Sequence, residues 1–202
     1  MRHRMEHLGL ATSDAIARAA QMNLALSFFV CHLYFYAKTF ANFYLGEERT
    51  NRWTPLSVAT KHGIRWTIHQ DHPAFPGPPL PFANIKTAVT RTQRGDSQTV
   101  YGPEYRVSID EALKAYTINA AWQLHKENML GSLTENKKAD LVILSQNPYK
   151  VDPLQLEDIE VIDTFLDGQA INSSQAYMTR TVKRREGNCL VYNKKSTNNC
   201  RL

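Results

Sequence analysis

The sequence is poor in everything that would mark a disulfide scaffold, a membrane anchor or a nucleic-acid binder. Its 202 residues include three cysteines, Cys31, Cys189 and Cys200, and no CxxC spacing. That excludes a disulfide framework and a cysteine-based structural zinc site. Cys31 lies in an apolar run and reads as a buried free thiol. No apolar stretch reaches the roughly 18 residues needed to span a bilayer. The longest candidate, residues 24–37, is 14 residues long and is interrupted by Ser27 and His32, so it reads as a buried strand with a following loop. Residues 1–7 are polar and the apolar run comes late, so no secretory signal is expected and a cytoplasmic location is. Positive charge is also scarce where it would matter. The net charge is +5, yet residues 179–202 hold seven of the Lys/Arg side chains and one acid, leaving 17 basic and 18 acidic groups in the rest. A body of net −1 gives no electrostatic reason to expect nucleic acid or an anionic membrane as a partner.

What remains is globular material, 43% hydrophobic and 21% charged, long enough to bury a core. Thr12, Ser13 and Asp14 offer N-cap side chains for a helix over residues 15–22, with Ile16, Ala19 and Ala20 on one face. Residues 24–30 (LALSFFV) are almost continuously apolar, as in a strand covered on both sides. The pattern then recurs. Thr54-Pro55 reads as a cap followed by a first-turn proline, a helix continues over 56–62, and Gly63 supplies a left-handed cap. A buried strand over residues 64–71 carries the Asp71 carboxylate to its C-terminal end. Five prolines in residues 72–81 must end it. Two helix-to-strand units with short turns imply right-handed crossovers and a parallel sheet.

Further on, residues 84–94 read as an amphipathic helix. Ser108-Ile-Asp-Glu111 is a capping box. It opens a helix with Ile109, Leu113, Tyr116, Ala120 and Leu124 on one face. Residues 139–144 (ADLVIL) read as a buried strand. Residues 159–166 and 169–171 flank Asp167-Gly168 as a hairpin. Beyond about Ala176 the periodicity fades into a basic tail expected to be disordered.

In parallel sheets the working residues gather at the C-terminal strand ends. His7, His32 and Asp71 each fall at or just past such an end, and His69 lies two residues before Asp71. Each has a plain alternative: histidines at strand ends commonly serve as hydrogen-bonded structural residues, and Asp71 could cap its own turn. Converging on one rim, a histidine and an aspartate could instead hold a metal and its water.

Four stretches then carry a resemblance. RHRMEH (residues 2–7), HQDHPAFP (69–76), VSIDEALKAYTINAAWQL (107–124) and GSLTENKKADLVILSQNP (131–148) together resemble the C-terminal part of the amidohydrolase superfamily. The likeness is to the amidohydrolase 3 group, which includes N-substituted formamide deformylase-like enzymes. It runs from about Arg2 to Ile171. The implied fold is α/β: the last three strands of an incomplete TIM-type metal-dependent hydrolase barrel over residues 1–130, and part of the adjoining small β-sandwich over 131–175. The tail would occupy 176–202. By the same resemblance His7 is a metal ligand, Asp71 is both the strand-eight ligand and the general base, and His32 and His69 lie on the substrate side. The implied cofactor is a divalent metal, zinc by preference. The implied reaction is hydrolysis of an amide-type C–N bond in a small-molecule substrate. Water would attack the carbonyl carbon, and Asp71 would carry its proton to the leaving nitrogen.

The sequence also departs from the family. The His-x-His pair of strand one, the strand-four lysine or glutamate and the strand-five histidine have no counterpart, and Asn136 replaces a turn glycine. The chain therefore reads as a fragment with most metal ligands missing, inactive or nearly so by itself. The alternative expectation is a truncated or split-gene product that associates with a missing N-terminal half.

Overall fold

Three short parallel strands form the first sheet: β1 (Arg4–His7), β2 (Ala25–Phe29) and β3 (Trp66–His69), in the order β1-β2-β3. They belong to a computed structural model that describes residues 2–72 and 78–171. The register sets His7 beside Phe28, and Phe29 beside His69. Side chains alternate across a strand, so the two faces differ. Leu26, Phe28, Trp66 and Ile68 join Ile16, Leu56, Ala59, Ile85 and Ala88 in one apolar core. Burying side chains of this size contributes about 1.5–3 kcal/mol each. The opposite face carries Arg4, Glu6, Ser27, Thr67 and His69 along a cleft.

Helix α1 (Ser13–Gln21) returns the chain from β1 to β2. Thr12 caps it, its hydroxyl accepting from the Ala15 N–H, and Ile16 and Ala19 are buried as the spacing predicts. All of β2 is buried. The expected loop after it is instead helix α2 (Cys31–Thr39), continued by a π-helical turn over Phe40–Tyr44. The run contains no glycine or proline, and Cys31, Leu33, Tyr34 and Ala37 bury one helical face. The Cys31 thiol is buried and free, as expected. Helices α3 (Glu47–Asn51) and α4 (Leu56–Lys61) complete the crossover. Thr54 does not cap α4, which begins beyond Pro55. Thr54 is fully buried at φ 45°, its N–H donating to the Gly9 carbonyl at 2.8 Å. Proline disfavours the helical region for the residue before it, so the turn is absorbed there. Gly63, at φ 68°, ends the unit as its sequence suggests.

Helix α5 spans Pro81–Thr90, earlier at both ends than the expected 84–94. Proline needs no donor in the first turn, so Pro81 can open it. Arg91 turns left-handed at φ 61° and sends the chain into an unanticipated hairpin, β4 (Thr92–Gln93) and β5 (Asp96–Val100). Nor is α5 amphipathic: Asn84, Lys86, Thr87 and Thr90 are buried with its apolar residues. It is covered on its far side by the 3-10 turn Pro153–Asp158, where Glu157 meets Lys86 at 3.2 Å.

The Ser108 capping box is present as read. The helix it opens breaks in two, α6 (Ile109–Tyr116) and α7 (Ile118–Gln123). Thr117 lies at φ −123°, ψ −97°, and its hydroxyl donates back to the Leu113 carbonyl at 2.8 Å. The break turns Leu124 out of the expected core face, leaving it 62% exposed. The antiparallel sheet β6 (Leu141–Leu144), β7 (Val161–Leu166) and β8 (Gln169–Ile171) contains the Asp-Gly hairpin. Asp167 and Gly168 sit at φ 53° and 76°, the primed-turn signature. Strand β6 is shorter and more open than read, with Val142 and Ile143 about half exposed. Ala139 and Asp140 serve the hairpin turn instead, accepting the N–H groups of Gly168 and Asp167. No helix among the described residues is long and apolar enough to cross a membrane. The expected tail lies outside the described residues.

One buried cation ties the crossover to the hairpin. Arg91 is 1% exposed, and its guanidinium donates to the carbonyls of Asn51, Trp53, Thr54 and Tyr101 at 2.6 to 3.0 Å. Burial pushes it down to about 9, so it stays charged at neutral pH. Arg91→Met would leave these carbonyls without donors and is expected to cost about 3 kcal/mol of unfolding free energy. Urea denaturation checks this; a change below about 0.5 kcal/mol, typical of an uninvolved surface site, contradicts it.

Candidate metal centre

Two of the three outermost groups on the rim sit on unusual backbone. His7 closes β1 at φ 70°, and Asp71, two residues past β3, lies at φ 52°. Left-handed backbone costs a residue with a Cβ roughly 1–2 kcal/mol. The turns bring the side chains together. Asp71 Oδ2 stands 2.6 Å from His7 Nε2, and Oδ1 stands 2.9 Å from His69 Nδ1. Phe29, buried at the end of β2, packs against both histidines, stacked on His69 at 5.3 Å and 20° and edge-on to His7 at 5.4 Å and 78°, while the two imidazoles meet edge-on at 4.9 Å.

The environment separates the roles of these groups. Burial alone would raise the Asp71 carboxyl, but the hydrogen bond from His7 and the charges of His69 and His7 outweigh it and hold the group below its ordinary value. Burial pushes the His69 imidazole down, against the pull of Asp71 and Glu6. Glu6 reaches towards the same ring, with Oε2 3.9 Å from His69 Nε2. Burial would raise its carboxyl too; the Ser27 hydroxyl and Arg4, 2.5 Å away, lower it on balance. His69 Nε2 is buried and makes no hydrogen bond.

This donor set fits a divalent cation. One ring nitrogen each from His7 and His69 and one Asp71 oxygen all lie within 4.8 Å of one another. Imidazole nitrogens and a carboxylate oxygen are donors of the kind zinc takes, and three protein ligands leave a position for water. The orphaned His69 nitrogen is further polar capacity at the same spot. Beside it opens a cleft of about 540 Å³, whose lining includes Arg4, Glu6, Ser27, Thr67, Leu80, Tyr116 and Gln123.

Of the residues singled out from the sequence, His7 and Asp71 are brought together. His69, read there as a substrate-side residue, joins them as a third donor, so the chain offers three convergent groups where two were expected. His32 stands apart on α2, behind Phe29, at a ring separation of 4.3 Å. It is not one of the three convergent donors. Glu6 was missed. Its signal was strand alternation, since it shares a face with Arg4 and is paired in register with Ser27.

Comparison with known proteins gives this geometry a context. A model of the amidohydrolase family matches residues 1–171. YtcJ of Bacillus subtilis is 31% identical over 174 residues, covering 83% of this chain and 31% of that protein. N-substituted formamide deformylase of Arthrobacter pascens is 28% identical over 166 residues, covering 82% of this chain and 30% of that enzyme. An adenosine deaminase from Xanthomonas campestris, solved with bound zinc, shares the fold. Its TM-score is 0.61 at 18% identity, over 87% of this chain and 40% of that one. The chain thus spans about a third of the length of the curated relatives it matches.

Burial also pushes the His32 imidazole below its ordinary value, helped by the nearby His7. The unfolded chain therefore takes up a proton near pH 6.5 that the folded one resists, and stability falls as pH drops below about 6.5. His32→Phe keeps the ring and removes the titration. The slope of Tm against pH between 7 and 5 is expected to flatten in that variant; an unchanged slope contradicts the assignment.

Proposed function

The chain belongs to the amidohydrolase superfamily, in its amidohydrolase 3 group, and we propose that it forms the rim portion of a metal-dependent hydrolase acting on amide-type, non-peptide C–N bonds. The observation that carries this reading is the convergence of His7, His69 and Asp71 at the C-terminal ends of parallel strands. Three helix-covered parallel strands suit the last strands of a TIM-type barrel, and β6–β8 suit part of a small sandwich beside it. The C–N bond as target is supported by the deformylase among the relatives. Zinc as the metal is supported by the two-imidazole, one-carboxylate set. A small molecule is the substrate this cleft would take, and the cytoplasm is the proposed location.

A divalent cation held by His7, His69 and Asp71 would supply Lewis acidity towards the carbonyl oxygen and a lower pKa for water. The chain's own residues then have distinct tasks. Asp71, kept ionised by its neighbours, accepts a proton from the attacking water as the new C–O bond forms, and returns it to the nitrogen as the C–N bond breaks. The products are a carboxylic acid and an amine. His69 and Glu6 hold the inner side of the site, and Phe29 fixes the planes of both imidazoles. The walls that would select a substrate are not supplied by these strands, so the 202-residue chain is expected to bind metal yet turn over little or nothing alone.

Calorimetric titration with zinc tests the metal half of this reading. One ion per chain is expected, with affinity at least about tenfold lower in Asp71→Asn. Absence of binding would sink it. Hydrolysis of N-substituted formamides by the zinc-loaded chain tests the other half. Turnover abolished by Asp71→Asn would show the site to be self-sufficient and overturn the proposed inactivity.

A second reading is a truncated or split-gene product that works only with a complementary N-terminal half. It is favoured by β1, every residue of which is exposed and which lies at the edge of its sheet. Such an edge offers unpaired backbone groups to another strand. Co-expression with the barrel's N-terminal half should then yield a co-purifying pair; two proteins that never associate would exclude it.

A further inference from the structure

Gln70 lies between His69 and Asp71 in the chain, yet its side chain bonds to neither. It is buried, and its Nε2 donates to the Pro78 carbonyl at 2.6 Å. Its Oε1 accepts from the Leu80 N–H at 2.7 Å and from Asn84 Nδ2 at 3.3 Å. Asn84 is itself 1% exposed on α5. Its amide also donates to the Tyr116 hydroxyl at 2.8 Å, and its oxygen accepts from the Cys31 thiol at 2.9 Å. Both amides are thereby engaged at their donor and acceptor ends, in a network joining the end of β3 to α2, α5 and α6. Burial of two amides is tolerable only in such a satisfied state, and satisfied networks of this kind rigidify what they touch.

Asp71 is the first residue beyond this anchor and adopts the left-handed backbone that a residue with a Cβ disfavours. Upstream, the ladder between β2 and β3 fixes the chain as far as His69. Downstream, Gln70 closes a link from the strand end to residues 78 and 80, at the threshold of α5. Asp71 therefore follows directly on an anchored strand end, in a conformation it would not choose alone. The geometry points to Gln70 as a positioning residue for Asp71, with Asn84 as its buried anchor. It aims the carboxylate between His7 and His69 without touching metal, substrate or the reacting atoms. This inference rests on the metal-site reading above. It explains why a glutamine stands at a position otherwise flanked by donors: an amide donates and accepts at once, as the Pro78 carbonyl and the Leu80 N–H require.

The test is a cobalt(II) titration of the full chain, followed by visible absorption, for the unaltered protein, Gln70→Ala, Asp71→Asn and the double variant. Gln70→Ala is expected to weaken cobalt binding by about tenfold or more, as for the loss of a group that orients a ligand, with an altered absorption band. Because Gln70 acts through Asp71, adding Gln70→Ala to Asp71→Asn should cost less than about a further twofold. Far-UV circular dichroism establishes that each variant is folded. Should Gln70→Ala fail to fold, Gln70→Glu keeps the acceptor for Leu80 and Asn84 and loses only the donor to Pro78. A smaller loss in the same direction is then expected. Cobalt binding unchanged in the folded Gln70 variant, or a loss that adds in full to that of Asp71→Asn, would overturn the positioning role while leaving the metal site standing. No cobalt binding by the unaltered chain would overturn the metal site, and the positioning role with it.

Discussion

The carboxylate of Asp71, held between two imidazoles, is the interaction on which the geometry of the rim depends, and the strand register makes it possible. His7 and Asp71 are 64 residues apart, one closing β1 and the other lying two residues past β3, the two outer strands of the sheet. They meet because β1 and β3 both run parallel to β2 and end within one residue of each other along it, with His7 beside Phe28 and His69 beside Phe29. Side chains alternate with a period of two, so a slip of one residue in β3 would turn His69 into the apolar core. The buried side chains of Leu26, Phe28, Trp66 and Ile68 make that slip costly. The packing of the helix-facing side thus specifies the chemistry of the opposite side.

Strained backbone at His7 and Asp71 requires a frame that does not yield. Two buried polar hubs supply much of it. Arg91 binds four carbonyls from the crossover and the hairpin, and Asn84 links the end of β3 to three helices. Both side chains come from the α5 segment, which explains why that helix carries buried polar residues where an amphipathic stripe was expected. Asn84 and Lys86 are tie points between layers, whereas the Thr87 and Thr90 hydroxyls donate back to carbonyls of their own helix.

The elements legible in the sequence are those whose cause is local. Thr12 caps α1, Ser108 and Glu111 form their box, Asp167-Gly168 makes its turn, and Gly63 ends its unit, because each depends on a few neighbouring atoms. Helix α2, the hairpin at Thr92–Val100 and the break at Thr117 were not legible. Their sequences permit several conformations, and contacts from distant segments decide among them. The site divides in the same way. His7 and Asp71 could be placed from strand ends and motif likeness. The approach of His69 to them could not, because it depends on the register of β3 against β2. Glu6 is marked by strand parity alone, and Gln70 is hidden because its partners lie eight to fourteen residues away.

Three donors in place of two also change how the site bears on the fold. His7 belongs to one outer strand of the sheet, and His69 ends the other with Asp71 just beyond it, so a cation bound by all three would clamp β1 to β3 across β2. A ligand that binds only the folded state stabilises it by mass action, by about 2.7 kcal/mol at a hundred times its Kd. That gain compares with the roughly 5–15 kcal/mol by which whole domains are stable. It would fall on the most exposed strand of the sheet, β1, which has a neighbour on one side only. Under the proposed reading, metal binding and substrate turnover would separate in this chain. The first would need only the groups at the ends of β1 and β3, whereas the second would also need further walls around the substrate. A site of this kind can hold its ion, and be held together by it, without completing a reaction.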